Sequence, residues 1–326
     1  MIYMVTGSAG FIGSHFCRYI LDKYPSATVI GVDSLTYAGN MITMSDFIEN
    51  SRFHFYKIDI RDKENLTTIF NNHKIDYVVN FAAESHVDRS IINPGDFLTT
   101  NILGTQVLMD LAMKYNVQRF HQVSTDEVYG DLPLNDLSKK FSETTPLNPS
   151  SPYSASKASA DFLVNAYHRT YGLPISISRC SNNYGPYQYP EKLIPVIIDK
   201  ALKNMPIPVY GKGINVRDWL YVEDHCSAID LILKHGNNGE TYNIGGNTEL
   251  SNIDLVNQLL DILEKPKSLI SYVEDRKGHD LRYAIDFKKI HDDLGWEPQH
   301  RFKDALKHTV NWYKHNPKWV LAVSSE

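Results

Sequence analysis

At 326 residues the chain is long enough for two domains or for one large core with an elaborated lobe, and its 42% hydrophobic and 22% charged content excludes the disordered and fibrous classes. Lys+Arg 33 against Asp+Glu 38 leaves a net charge of −5, with no basic run longer than two residues, so the footprint of a nucleic-acid binder is missing and an anionic ligand must be met locally. Cys17, Cys180 and Cys226 are too scattered for a disulfide framework or a Cys-x-x-Cys metal knuckle; no metal site is expected, and a reducing cytoplasm fits best.

Met1 to Val5 is apolar, but it lacks a basic flank and is broken at once by glycines, so it reads as a first strand rather than a leader. No apolar stretch approaches the roughly 18 residues of a membrane-spanning helix, and a soluble protein is expected. Strands are predicted at Ile2–Thr6, Thr28–Val32, Phe53–Lys57, Tyr77–Phe81, Arg119–Ser124 and Ile175–Arg179. They alternate with helices near Phe11–Lys23, Lys63–Asn72, Asp96–Tyr115 and Pro152–Tyr171. That alternation predicts an α/β fold, a Rossmann-type doubly wound parallel sheet over 1–180, with a returning segment near 215–240. Past Arg179 the segments become short and irregular, so 181–326 is expected to form mainly a smaller lobe, with helices at Lys192–Asn204, Val222–His235, Asn252–Leu263 and Phe302–Tyr313.

Gly7-Ser8-Ala9-Gly10-Phe11-Ile12-Gly13 joins the first strand to the first helix, where glycines permit a tight turn and bring backbone N–H groups to a pyrophosphate. Asp33 ends the second strand roughly 20 residues later, placed to accept from a ribose hydroxyl. A carboxylate there repels a 2′-phosphate and no Arg occurs in Ser34–Gly39, so NAD is favoured over NADP. Asp59-Ile60 suits an adenine contact, with a helix cap as the competing role for Asp59.

Tyr153 and Lys157 share one helical face at i and i+4. Spacing alone decides nothing, since Tyr19 and Lys23 have it too; Tyr153 differs in opening a helix at the carboxyl edge of the sheet. Bringing a phenol from about 10 to about 7 requires roughly 4 kcal/mol of differential stabilisation, for which Lys157 and an oxidised nicotinamide are the available cations. At the end of the fifth strand, Thr125-Asp126-Glu127-Val128-Tyr129-Gly130 carries adjacent carboxyls that would face opposite ways in a continuing strand and reach one substrate only from a turn. Mutual repulsion would keep one protonated as an acid while the other serves as base; two solvated loop acids is the alternative.

With these motifs the chain resembles the extended short-chain dehydrogenase/reductase superfamily, and within it the dTDP-glucose 4,6-dehydratase family. The Thr-Asp-Glu string carries the resemblance to the dehydratases, because the related epimerases usually hold small or hydroxyl residues there. Matching stretches include Ala82 to Ser90, Arg179 to Tyr187, Pro190 to Pro195 and Arg217 to His225. Lys277 departs from the pattern, standing where many relatives carry proline.

The resemblance implies that Tyr153 is the base at the sugar 4-hydroxyl, Lys157 its activator and a ribose contact, both of them cofactor-binding, Asp126 the acid and Glu127 the base of dehydration, and that Thr125 bonds the reacting sugar. It places Ala82, Ala83, Thr100 and Asn183 near the cofactor. Ser85, Asn182, Lys192, Leu193, Pro208, Tyr210, Arg217, Asn252, Arg276 and His279 would hold a nucleotide sugar. Oxidation at C4 would acidify C5, water would be lost across C5 and C6, and hydride would return to C6. A homodimer is also implied, formed through helices apolar on more than one face, with Phe97, Ile102, Val107, Leu108 and Leu111 on one and Phe162, Leu163, Val164 and Tyr167 on the other. Competing readings are a dehydratase of another NDP-hexose, a UDP-sugar 4-epimerase, which would not need the acid/base pair, and a non-catalytic NAD-sensing regulator, which would need only the glycine loop and Asp33.

Overall fold

A computed structural model describes residues 1–275 and 279–324. The first part contains β1 (Ile2–Thr6), α1 (Phe11–Lys23), β2 (Thr28–Asp33), β3 (Phe53–Lys57), α2 (Lys63–Asn72), β4 (Tyr77–Asn80), α3 (Val87–Ile92), α4 (Pro94–Phe97), α5 (Thr105–Lys114), β5 (Arg119–Thr125), α6 (Pro152–Tyr171) and β6 (Ile175–Cys180). There follow β7 (Asn182–Tyr184), α7 (Leu193–Leu202), β8 (Ile207–Tyr210), β9 (Val216–Tyr221), α8 (Val222–His235), β10 (Glu240–Ile244), β11 (Glu249–Ser251), α9 (Asn252–Leu263), β12 (Ile270–Val273), α10 (Lys288–Leu294), α11 (Phe302–His315) and α12 (Pro317–Ser324).

Seven strands form one sheet in the order β10-β6-β5-β4-β1-β2-β3, every pairing parallel. Its central strands are nearly continuous apolar runs because helices cover both faces. On one face Phe16 and Ile20 of α1 meet Ile229 and Ile232 of α8; on the other Phe70, Leu108 and Val164 lie over Met4, Ile30 and Phe120. Strand order reverses between β1 and β4, and the crevice at that switch point, beyond the carboxyl ends of the strands, is where open α/β sheets take ligands.

The chain returns to the sheet through α8 and β10, which pairs with β6 from Glu240↔Ser176 to Ile244↔Cys180. β9 lies between β7, parallel to it, and β11, antiparallel; β8 pairs with β12. These short strands pack with α7, α9 and α11 around Ile194, Ile197, Leu255, Leu259, Leu306 and Val310 as a third apolar core.

The span expected as one helix over Asp96–Tyr115 is instead α4, a π-helical stretch Leu98–Gly104, and α5. Side-chain bonding accompanies the wider turn: the Asn101 amide donates to the Glu84 carbonyl (3.0 Å) and Ser156 Oγ (2.8 Å), and Thr105 Oγ1 donates back to the Asn101 carbonyl (2.7 Å). α6 matches its expected bounds because it is capped at both ends, by Ser151 with Ser154 and Pro152 in its first turn, and by Gly172 in the left-handed region. Among residues expected at a subunit interface, Phe97, Leu108, Leu111, Val164 and Tyr167 are buried within this subunit, whereas Phe162 is 61% exposed.

Candidate active site

The cleft at the switch point is lined by Gly7, Gly10, Phe11, Ile12 and Gly13 of the first turn, by Asp33, Asp59 and Ile60 after the next two strands, and by Ala82, Ala83 and Thr100. Two glycines are required by close approach. A Cβ on Gly13 would lie 2.1 Å from the Gly7 carbonyl oxygen, and one on Gly7, which has φ +69°, would lie 2.8 Å from the Ala82 nitrogen. α1 opens at Gly10 with no side-chain cap among the described residues, leaving its first N–H groups turned toward the cleft for an anion.

Asp33 is buried, its Oδ2 accepting from the Ala9 N–H (3.0 Å) and its Oδ1 from the Leu35 N–H (2.8 Å). Burial raises its pKa and these two donors pull it back down. The carboxylate is thereby fixed at the end of β2, with acceptor capacity left for a ribose diol. Asp59 is not a helix cap: Asp62 caps α2 by accepting from the Asn65 N–H (3.0 Å). Asp59 instead takes a bidentate bond from Arg61 (2.9 and 2.6 Å), which holds its pKa below the usual carboxylate range. A glycine cradle, an anchored carboxylate and an apolar slot beside Ile60 together fit NAD.

β5 ends at Thr125, and the chain turns at once into a short 3₁₀ helix, Asp126–Tyr129, stopped by Gly130 at φ +90°. Thr125 Oγ1 accepts from the Glu127 N–H (3.3 Å), and this turn delivers both Asp126 and Glu127 to the cleft. Asp126 is 1% exposed; its Oδ1 accepts from the Thr125 hydroxyl (3.3 Å), while its Oδ2 takes no hydrogen bond from any described residue. Burial, then the Glu127 and Asp218 carboxylates, push its pKa well above the carboxylate range, and Arg217 works against them. Asp126 is therefore built to hold a proton.

Tyr153 borders the same space from the first turn of α6. Its phenol is pushed above its ordinary value by burial first and by Glu127 second, the reverse of the shift a neutral-pH base needs. Lys157, also buried, donates to the Val123 carbonyl (2.7 Å), and burial lowers its pKa. Lowering of the Tyr153 pKa thus requires a positive charge beyond what the chain provides.

Ser85, Thr125, Asn182, Asn183 and Lys192 also line the cleft. The Asn183 amide oxygen accepts from His225 Nδ1 (2.9 Å), a buried ring that burial keeps neutral with a pKa of about 3. Lys192 donates to the Ser85 carbonyl (3.2 Å), and Leu193 follows it at the start of α7. Pro208, Tyr210, Arg217, Asn252 and His279 lie outside the cleft lining, in the second lobe. There Arg217 donates to the Asp280 carbonyl (3.0 Å) and stacks on Tyr283 (4.3 Å), His279 pairs with Asp275 (2.6 Å) and sits edge-on to Tyr210, and Asn252 keeps a buried Oδ1 without a bond from the described residues. Arg217 nevertheless acts electrostatically on Asp126, and Glu127 on Tyr283, so this cluster borders the two carboxyls. Arg276 falls outside the described residues.

Sequence reasoning passed over Glu84, Arg61, Cys180, Tyr189 and Glu191, all of which line the cleft. Glu84 and Glu191 stand inside stretches that already matched the family, which was the available signal. Arg61 follows the Asp59-Ile60 pair directly, and Tyr189 carried no signal of its own.

The model of the GDP-mannose 4,6 dehydratase family matches residues 4–309. The dTDP-glucose 4,6-dehydratase of Salmonella typhimurium is 50% identical, with all of this chain and 96% of that protein aligned. The dTDP-glucose 4,6-dehydratase of Streptomyces venezuelae, solved with NAD bound, superposes with a TM-score of 0.95 at 48% identity, covering 99% of this chain and 100% of that one. The UDP-glucose 4-epimerase of Thermotoga maritima shares the fold at TM-score 0.89 and 32% identity, covering 97% and 100%. Full-length identity at the level of the dehydratases, together with the turn that brings Asp126 and Glu127 to one cleft beside Tyr153, makes the chain a member of the dTDP-glucose 4,6-dehydratase family.

Proposed function

We infer that this chain is an NAD-dependent dTDP-glucose 4,6-dehydratase, forming dTDP-4-keto-6-deoxyglucose. The observation that carries the reading is the turn after β5, which brings Asp126, a buried carboxyl whose pKa burial raises, to the cleft beside Glu127. An epimerase has no use for such a pair, and a regulator has no use for it either. When bound, NAD supplies the hydride acceptor for C4 and the donor for C6.

Tyr153 takes the C4 hydroxyl proton, with Lys157 offsetting the phenolate and Thr125 holding the sugar. The C4 ketone acidifies C5, whose proton goes to Glu127, while Asp126 protonates the departing C6 oxygen. The cofactor is assigned to Gly7, Gly10, Phe11, Ile12, Gly13, Asp33, Asp59, Ile60, Ala82, Ala83, Thr100, Tyr153, Lys157 and Asn183. Lys192 and Arg217 are assigned to the diphosphate, as is Arg276 by family resemblance; Ser85, Asn182, Leu193, Pro208, Tyr210, Asn252 and His279 complete the nucleotide-sugar site. Residues 1–180 with the α8–β10 return form the cofactor unit, and the remainder of 181–326 forms mainly the substrate lobe.

The protein acts in the cytoplasm as a homodimer. Supporting the dimer, Ile91, Ile92, Leu98, Leu103 and Phe162 are exposed on α3, the π-helical stretch and α6, the first two each packing on α6. A monomeric mass by light scattering at micromolar concentration would remove that assignment.

Isotope transfer tests the reaction. Substrate deuterated at C4, mixed with unlabelled substrate, is expected to carry its label to C6 of the same molecule, and in heavy water C5 gains one deuteron. Label lost to solvent or scrambled between molecules would exclude an internal transfer, and label retained at C4 would establish epimerisation.

A further inference from the structure

Resting on the dehydratase reading, we propose that Asp131 is a positioning residue which, with Arg282, clamps the segment 279–283 of the substrate lobe to the turn carrying Asp126 and Glu127. Asp131 follows Gly130, whose φ of +90° leads the chain out of that turn and whose added Cβ would stand 2.4 Å from the Asn148 carbonyl oxygen. Its Oδ1 accepts two backbone donors from the other side of the site, the N–H of Leu281 (2.7 Å) and the N–H of Arg282 (2.9 Å). Beside this, the Leu132 N–H donates to the Arg282 carbonyl (3.0 Å).

Arg282 closes the clamp from the opposite direction. Its side chain is fully buried, with Nε on Glu249 (2.7 Å), Nη1 on the carbonyls of Asp136 (3.2 Å) and Lys139 (3.0 Å), and Nη2 on the carbonyl of Leu137 (3.2 Å). One guanidinium thus gathers the loop that descends from the acid/base turn. The clamped segment is also tied to β9: the Val216 N–H donates to the Leu281 carbonyl (2.7 Å) and the Tyr283 N–H to the Val216 carbonyl (3.2 Å). The next residue along β9 is Arg217, bonded to the Asp280 carbonyl.

Segment 279–283 is therefore held between two functional parts, the acid/base turn on one side and Arg217 on the other. Asp131 is exposed, and water could satisfy the N–H groups of Leu281 and Arg282 in its absence, so the fold does not depend on it. What it fixes is the separation between the lobe residues assigned to the diphosphate end and the carboxyls assigned to C5 and C6. That separation sets how well one bound sugar nucleotide meets both groups at once, so its loss is read as weaker productive binding, in KM.

Asp131→Ala is expected to raise the KM for dTDP-glucose about tenfold, while the Kd for NAD, read by fluorescence titration, stays at the parental value. Asp131→Asn retains an oxygen able to accept both N–H groups and is expected to restore KM to within about twofold of the parent. An unchanged KM in Asp131→Ala, an NAD affinity that weakens in parallel with KM, or an Asp131→Asn protein as impaired as the alanine variant would each overturn the clamp. Failure of the dehydratase reading is a separate outcome, seen as a parental protein that forms no keto product.

Discussion

The two walls of the cleft are built by different means. On the sheet side the surface is made largely of backbone: the Gly7–Gly13 turn, the residues after Asp33 and the Asp59–Arg61 loop each act as one continuous stretch, with contacts set by what cannot be added there. On the lobe side the groups are side chains from separate segments, Asn182, Asn183 and Lys192 on the cleft itself and Arg217, Asn252 and Tyr283 beyond its lining, held by bonds such as that from Arg217 to the Asp280 carbonyl. A backbone wall fails when bulk is added, whereas a side-chain wall fails when charge is removed. Between the two, the end of β5 presents Asp126 and Glu127, the carboxyls proposed for the dehydration.

The largest expected effect sits at that junction. Tyr153→Phe removes the proposed base and should lower kcat about a thousandfold in a turnover assay, with sugar-nucleotide binding preserved; near-normal turnover would refute the role. Asp126→Asn combined with Glu127→Gln should leave C4 oxidation possible and block elimination, lowering product formation about a hundredfold or more. Absorbance of reduced nicotinamide should then build up. Keto product released at the parental rate would show that these carboxyls are not the dehydration pair.

Each wall has its own test. Gly13→Ala places a Cβ against the Gly7 carbonyl and should weaken NAD binding at least about a hundredfold, because the added atom collides with backbone. Arg217→Ala should leave NAD affinity alone and raise the KM for dTDP-glucose roughly thirtyfold, the scale of losing a charge-assisted contact. If Arg217→Ala altered the Kd for NAD and spared KM, the assignment of Arg217 to the substrate would fail.

The same contrast explains what could be read from the sequence. The sheet half is written locally: β-branched runs, capped helices and glycines at fixed offsets lie within a few residues of the structures they form, so β1, β3, α1, α2 and α6 appear with their expected bounds. β7, β9 and β11 are three to six residues long and exist through pairing with one another across the lobe, which no local pattern records. The π-helical stretch was invisible for a related reason, since its partners Glu84 and Ser156 lie 17 and 55 residues from Asn101. Arg217 and Asn252 were identified through family resemblance, because their geometry depends on Asp280 and Asn215, distant in sequence or unremarkable in type.

The smallest effect concerns stability at Asp126 and tests its burial directly. Its folded-state pKa is raised by desolvation and by the neighbouring Glu127, while in the unfolded chain it returns to the ordinary range of about 4. Below that range the carboxyl is protonated in both states and contributes nothing that depends on pH. As pH rises above it, the unfolded chain releases the proton first, so the group increasingly opposes folding until the folded pKa is passed. Asp126→Asn keeps the shape and removes the ionisation. The variant and parent should therefore melt together near pH 4 and separate progressively toward pH 8, the variant melting higher, in parallel calorimetric scans. Glu127 and Asp218 remain in both proteins, which leaves the difference between the curves to Asp126 together with its coupling to those two carboxyls. A gap constant across pH, or a parent that melts higher at pH 8, would mean that Asp126 ionises freely in the folded protein, and the dehydration acid would have to be sought elsewhere on the cleft.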